Sequence, residues 1–421
     1  MMKELFAYFL EHPLVTTDSR NITPGCIFFA LKGENFNGND FLSKALDQGA
    51  GLVVGDEDRG IKDDCCIIVQ DALEALQELA RMYRMTWKFP VVAITGSNGK
   101  TTTKELVRDV LATKFKVHAT KGNLNNHIGI PLTILSAPQD TEMAIIEMGA
   151  NHQKEIASYC LYALPTHGLI TNIGKAHLEG FGGQDGVKRG KKELYDYLNK
   201  TQGEIFVNLE LPWMKEITDG MKVDAFGQHF KIEVKDKVNG MDLLLKTTEK
   251  DIEFTSHLTG SYNVFNIQTA LELGYYFGIV LEKACHAIGQ YLPDNMRSQW
   301  KETENNHLII DAYNANPTSL EHALIHLSTI KNQETLAIVG EMREMGEYSA
   351  QEHGRVVELI NALGLSAILV GKEFEIWKND HLFFQTVEEL VTWLQSNPIT
   401  KKTILIKGSR GIQLERVIPC L

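Results

Sequence analysis

Short apolar runs alternate with amphipathic stretches along this 421-residue chain, and their spacing divides it into three α/β units. In the first unit, apolar runs at 26–31, 51–54 and 66–69 predict strands, and apolar positions recur at helical spacing over 72–80. The stretch 86–90 ends that pattern, because Pro90 disfavours a helix running through it. Strands are next predicted at 91–95, 143–147 and 168–172, with helical segments between them. That alternation belongs to a mostly parallel sheet with flanking helices. Residues 204–257 break the rhythm: runs such as 231–234 and 242–245 predict an antiparallel insertion at one edge. Helical periodicity returns over 263–277, and Pro293-Asp294-Asn295 marks a second linker. A third alternation follows, with strands at 308–310, 336–339, 367–370 and 403–406, as in a doubly wound, Rossmann-like domain. The expected domains are therefore 1–88, 89–293 and 294–421.

Composition narrows the class without naming it. The length exceeds what one core holds and fits about three domains. No apolar run is long enough to span a bilayer, and the early acid in Met1-Met2-Lys3-Glu4-Leu5 is unlike a signal peptide. Six cysteines without a CxxC pair (Cys26, Cys65, Cys66, Cys160, Cys285, Cys420) suggest reduced thiols in a cytoplasm. A net charge of −12 argues against a nucleic-acid or anionic-membrane binder, while leaving room for small anions held by local cations. No glycine fingerprint of a dinucleotide site follows a strand of the third unit, so NAD is not inferred.

The chemistry centres on the run from Val91 to Thr103. A β-branched strand breaks into Gly96-Ser97-Asn98-Gly99, and Lys100-Thr101-Thr102 opens a helix. This is the strand–loop–helix order of a phosphate cradle, in which glycines let N–H groups point inward. Lys100 would meet the β/γ-phosphates and the Thr101 hydroxyl would ligate Mg²⁺. Ile94 stands where the usual pattern has its first glycine. Glu147 ends an apolar strand, where ligands of α/β sheets gather, and a carboxylate there is a natural Mg²⁺ ligand. His177 follows another strand and is a candidate second-cation ligand, although a lone histidine is most often a surface or core residue. Lys188, Arg189, Lys191 and Lys192 crowd one stretch, which reads equally as a solvated helix face or as an anion grip. The polar cluster at 16–20, with Asp18, Ser19 and Arg20, reads by itself as a turn.

Taken in order, these segments resemble the Mur ligases, ATP-dependent amide-forming enzymes of peptidoglycan synthesis, whose nucleotide loop also lacks that first glycine. The resemblance implies that Gly96, Ser97, Asn98, Gly99, Lys100, Thr101 and Thr102 hold ATP, with adenine contacts from Asn263 and Asn266. It implies two Mg²⁺ ions, ligated by Thr101, Glu147, His177 and a carbamylated Lys191; the residues alone leave Lys188 and Lys192 open. Arg297, Asp311 and Asn314 would dock the last domain on ATP. Ser19 and Arg20 match the uridine-nucleotide domain, and Asn125 and Asn126 match a substrate loop. The run Asp311-Ala312-Tyr313-Asn314-Ala315-Asn316-Pro317 is similar to the member that adds a dipeptide, with Asn316, Lys407, Ser409 and Arg410 toward that dipeptide. Three departures stand out: Ser261-Tyr262 and Met296 replace family residues, and Asn37-Gly38-Asn39 replaces Asp-Gly-His. The implied activity joins D-alanyl-D-alanine to UDP-N-acetylmuramoyl-tripeptide through an acyl phosphate, in a cytoplasmic monomer with no nucleic-acid partner. Rival readings are the diaminopimelate- or lysine-adding ligase, a folylpolyglutamate synthetase, and a catalytically silent nucleotide-binding partner of cell-wall enzymes.

Overall fold

Strand runs that are apolar throughout lie at the centres of sheets covered on both faces, where no in–out alternation is needed. The computed structural model describes the whole chain except residues 63, 238, 331–333 and 379–380. The first sheet holds four parallel strands in chain order, Val15–Thr16, Ile27–Phe29, Leu52–Gly55 and Cys66–Ile68. Its helix Ala72–Arg84 starts where the Asp71 carboxylate accepts the Glu74 N–H (2.8 Å), an N-cap that satisfies an otherwise orphan donor. The same helix ties the first unit to the second. Tyr83 donates to the Ala137 carbonyl (2.9 Å), and the Arg84 guanidinium donates to Ala163 O (2.9 Å) and Leu164 O (2.6 Å). Burial lowers the Arg84 pKa to about 10.

The middle sheet has six strands, all pairings parallel, in the spatial order Asp224–Ala225, Glu204–Val207, His167–Ile170, Val91–Thr95, Met143–Glu147, Val117–Ala119. Ile94 lies opposite Glu147 and Thr95 opposite Ile170. The register therefore ends three strands level, and the loops after Thr95, Glu147 and Ile170 share one rim. The insertion differs from the expected edge extension. Phe230–Lys237, Gly240–Thr247 and Asp251–Ser256 form a three-stranded antiparallel sheet of their own among the described residues. Its buried face (Met241, Leu243, Leu245) shares a core with Val110, Ile267 and Leu271, so it packs onto helices rather than prolonging the sheet.

The last sheet runs Gln299–Glu302, His307–Ile310, Lys402–Lys407, Glu334–Gly340, Ser366–Val370, Leu382–Phe384, antiparallel at the first pairing and parallel thereafter. The final strand inserts between the second and the third in sequence, which brings Asp311, Gly408 and Glu341 to one end. No helix among the described residues is long and apolar enough to cross a membrane.

Candidate active site

The glycine loop adopts the backbone that its two glycines allow. Gly96 has φ +144° and Gly99 φ +77°, and a Cβ at Gly96 would sit 2.0 Å from Thr171 Oγ1. Side chains on the neighbouring loop hold the curl. The Asn98 N–H donates to Asn172 Oδ1 (2.9 Å), Thr171 Oγ1 donates to Asn98 O (2.6 Å), and the Gly174 N–H donates to Ser97 Oγ (2.9 Å). Lys100 opens the helix Lys100–Leu111 and folds back, its ammonium donating to Gly96 O (2.6 Å) and Ser97 O (3.2 Å). Burial lowers its pKa to about 8, partly offset by Glu147 and reinforced by Arg297. A cation so placed gains from a phosphate arriving in the loop.

Glu147 is buried at the rim. Its Oε1 accepts from Thr101 Oγ1 (3.1 Å) and Asn125 Nδ2 (2.8 Å). Its Oε2 has no hydrogen-bond partner among the described residues and faces Lys104 Nζ at 3.8 Å. An orphaned carboxylate oxygen beside a threonine hydroxyl suits a hard cation. Lys104, itself buried, donates to Thr120 O (2.8 Å) and keeps that carboxylate from being an isolated buried charge.

The helix Gln184–Thr201 separates the crowded lysines. Lys188 pairs with Glu216 and Lys192 with Asp196 at the surface. Lys191 is 1% exposed, with its amine over the Phe181 ring (5.1 Å) and donating to Ala150 O (3.3 Å). Burial, and then the nearby charge of Lys100, holds its pKa well below the usual lysine range.

The last unit reaches the same rim. Asn316 caps the helix Pro317–Thr329 and exchanges amide hydrogen bonds with Asn98 of the glycine loop (2.7 and 3.4 Å). Lys175 donates to Glu352 Oε1 (2.7 Å), and its N–H donates to Thr318 Oγ1 (3.1 Å). His177 Nδ1 lies against a carboxylate oxygen of Glu344, and that imidazole lowers the Glu344 pKa. Arg297 lies 3.7 Å over the Tyr313 ring, and its buried Nε has no hydrogen-bond partner among the described residues. Asn266 accepts from Thr103 Oγ1 (3.0 Å) of the phosphate-loop helix and donates to Asn263 Oδ1 (2.8 Å) behind it.

Other expected residues are engaged elsewhere. Lys407, 2% exposed, is paired with Asp311 (2.6 Å) and also donates to Asn314 O (3.2 Å). Ser409 Oγ accepts from the Arg343 N–H (2.9 Å), and the Arg410 guanidinium is 3.5 Å from Glu415. Asn126 caps the turn at 128–129 through its Oδ1. In the first unit Ser19 lies in a turn where Arg20 binds Asp18 through both carboxylate oxygens (2.9 and 2.8 Å). Among the described residues nothing joins this turn to the glycine loop.

Comparison with known proteins assigns the chain. Residues 13–84 match the model of the Mur ligase family catalytic domain, 94–274 that of the Mur ligase middle domain, and 296–410 that of the Mur ligase glutamate ligase domain. The UDP-N-acetylmuramoyl-tripeptide–D-alanyl-D-alanine ligase of Bacillus subtilis is 32% identical over 420 residues, covering 96% of this chain and 92% of that one. The chain belongs to the Mur ligase family. Its fold is similar to the crystal structure of MurF from Acinetobacter baumannii (TM-score 0.88, 29% identity, 96% and 92% covered). It is also similar to MurF ligase from Thermotoga maritima in complex with ADP (TM-score 0.87, 26% identity, 98% and 97% covered).

Several residues of this Mur ligase escaped the sequence reading. Lys104, Lys175, Glu344 and Glu352 carry no motif of their own, and their roles come from contacts distant in sequence. For Lys191 a signal did exist. It falls on the stripe of Val187, Leu194 and Leu198 that the helix buries, whereas Lys188 and Lys192 fall beside it.

Proposed function

We infer that this Mur ligase joins D-alanyl-D-alanine to UDP-N-acetylmuramoyl-tripeptide with ATP, completing the pentapeptide precursor of peptidoglycan. Likeness over nearly the whole length to ligases of that name carries this reading. The terminal carboxylate of the tripeptide attacks the γ-phosphorus of ATP, ADP leaves, and an acyl phosphate forms. The amine of the dipeptide then attacks the acyl carbon, and phosphate leaves from the tetrahedral intermediate. Positioning and charge neutralisation supply most of the acceleration in such transfers.

In this reading 1–88 take the uridine nucleotide through Ser19 and Arg20. Residues 89–293 hold ATP at Gly96, Ser97, Asn98, Gly99, Lys100, Thr101 and Thr102, with adenine against Asn263 and Asn266. Residues 294–421 close with Arg297, Asp311 and Asn314 on ATP. Asn125 and Asn126 meet the tripeptide, and Asn316, Lys407, Ser409 and Arg410 meet the dipeptide. Two Mg²⁺ ions would be held by Thr101 and Glu147 and by His177 and Lys191, and they would neutralise charge on the transferring phosphoryl group. Burial favours the uncharged form of the Lys191 amine, the form that adds to carbon dioxide with release of a proton, so Lys191 is suited to become a carbamate. The enzyme acts as a monomer in the cytoplasm.

The test is ADP release by the full chain with ATP, Mg²⁺ and a substrate panel. Release should require D-Ala-D-Ala together with a UDP-N-acetylmuramoyl-tripeptide carrying diaminopimelate or lysine. Turnover instead with the UDP-dipeptide plus a free diamino acid, or with folate plus glutamate, would overturn the assignment.

A further inference from the structure

Two non-glycine residues in the left-handed backbone region face each other across the rim. His177 (φ +51°) lies in the loop after His167–Ile170, and Glu344 (φ +62°) in the loop after Glu334–Gly340. Such conformations persist where surroundings over-determine them, and they cluster at functional sites. Here the surroundings are the two loops themselves. The Glu344 carboxylate pairs with His177 Nδ1, and the Glu179 N–H donates to Glu344 O (3.4 Å). Gly346 (φ +52°) passes so close that a Cβ there would lie 3.1 Å from the Glu179 side chain.

We propose that Glu344 is a positioning residue for His177, holding its Nδ1 so that Nε2 is presented to the metal. This deepens the functional reading above and rests on it. A neutral imidazole has one donor and one acceptor nitrogen, and a carboxylate at Nδ1 selects the tautomer whose lone pair is on Nε2. Histidines that bind metals commonly have such a carboxylate behind them. Among the described residues no other carboxylate pairs with His177. The partner comes from the last unit while the histidine belongs to the middle one, so the second cation site is completed only when the two loops meet.

Mn²⁺ titration of the full chain with ADP, read as the electron paramagnetic resonance of free Mn²⁺, tests this. Glu344→Gln should weaken the weaker Mn²⁺ step about tenfold, leaving ADP affinity without metal and the melting temperature unchanged. Glu344→Asp should recover part of that loss, and Glu347→Gln, in the same loop, should match wild type. Wild-type isotherms for Glu344→Gln, or an equal loss in Glu347→Gln, would reduce Glu344 to a docking contact and overturn the proposal. A wild-type chain inactive with tripeptide and D-Ala-D-Ala would sink the functional reading instead, and the Mn²⁺ titration does not depend on that assay.

Discussion

Lys100 and Lys191 are buried amines with lowered pKa values, but the site asks opposite things of them. Lys100 must be charged when phosphates arrive. Its pKa of about 8 should rise on binding, because an anion favours the charged form. Above pH 8 nucleotide binding should therefore take up a proton. At pH 9 the uptake should approach one proton per ADP without metal, and Lys100→Ala should show none. Calorimetry in buffers of different ionisation enthalpy reads this directly, and equal uptake in both proteins would refute it. Lys191 instead needs an uncharged amine if it is to carry a carbamate. Lys191→Ala should lose activity and regain part of it with added short carboxylic acids, whereas Lys192→Ala, at the surface with Asp196, should need no rescue. Matching behaviour of the two variants would undo the distinction. The motif made Lys100 legible in the sequence, since glycine spacing and a flanking strand define it locally. Lys191 was reached only through the family resemblance, although helical spacing already puts it on the buried stripe, and Glu344 could not be found at all, because its partner is remote in sequence and its own loop has no periodicity.

Among elements, the helix Pro317–Thr329 does two jobs through one residue. Asn316 accepts the Ser319 N–H (3.0 Å) in a capping box and donates to Asn98 Oδ1 (2.7 Å). Asn316→Ala removes both and should cost about 1 kcal/mol of stability from the cap alone. Asn316→Asp keeps a good cap, and its charge suits a helix start, but it cannot donate to Asn98 and brings a carboxylate beside the phosphate loop. Thermal melts should separate Ala from Asp, while ADP affinity should fall in both. Retained affinity in Asn316→Asp would show that the bridge to Asn98 does not matter for nucleotide. Elements were read most surely where strands are buried on both faces, as at Val91–Thr95 and Met143–Glu147. Short or edge strands such as Gln299–Glu302 and Leu382–Phe384 escaped, because three or four half-exposed residues are too few to set up a pattern. The insertion was recognised as antiparallel, but period-two alternation cannot say what its apolar face will cover.

At the scale of the molecule, the middle and last units touch at the glycine-loop rim through polar pairs: Asn98 with Asn316, Lys175 with Glu352, and His177 with Glu344. Partly exposed pairs of this kind contribute little each and weaken with salt. The linker is tied to both units. Glu105, on the phosphate-loop helix, accepts from Tyr291 OH (2.5 Å) and Asn295 Nδ2 (2.9 Å), and Ser298 accepts from Thr259 Oγ1 and Asn263 Nδ2 (both 3.2 Å) of the middle unit while its N–H donates to Asp311 Oδ1 (3.3 Å) of the last. There Met296 (φ +57°) and Ser298 (φ +50°) sit in left-handed conformations, where a small gain elsewhere can release backbone strain. An anchored helix, two strained residues and a polar seam make a hinge. Small-angle scattering of the free chain should therefore show a more extended particle at high salt. Lys175→Ala should shift the free chain the same way, and Glu352 would keep Arg355 as its partner (2.5 Å). An ATP analogue with Mg²⁺ and the UDP-tripeptide should contract the particle in both proteins, because the phosphates add charged partners on each side of the seam. Coincident profiles with and without those ligands would mean that the units are already fixed, and the strain at 296–298 would then have no part in closure.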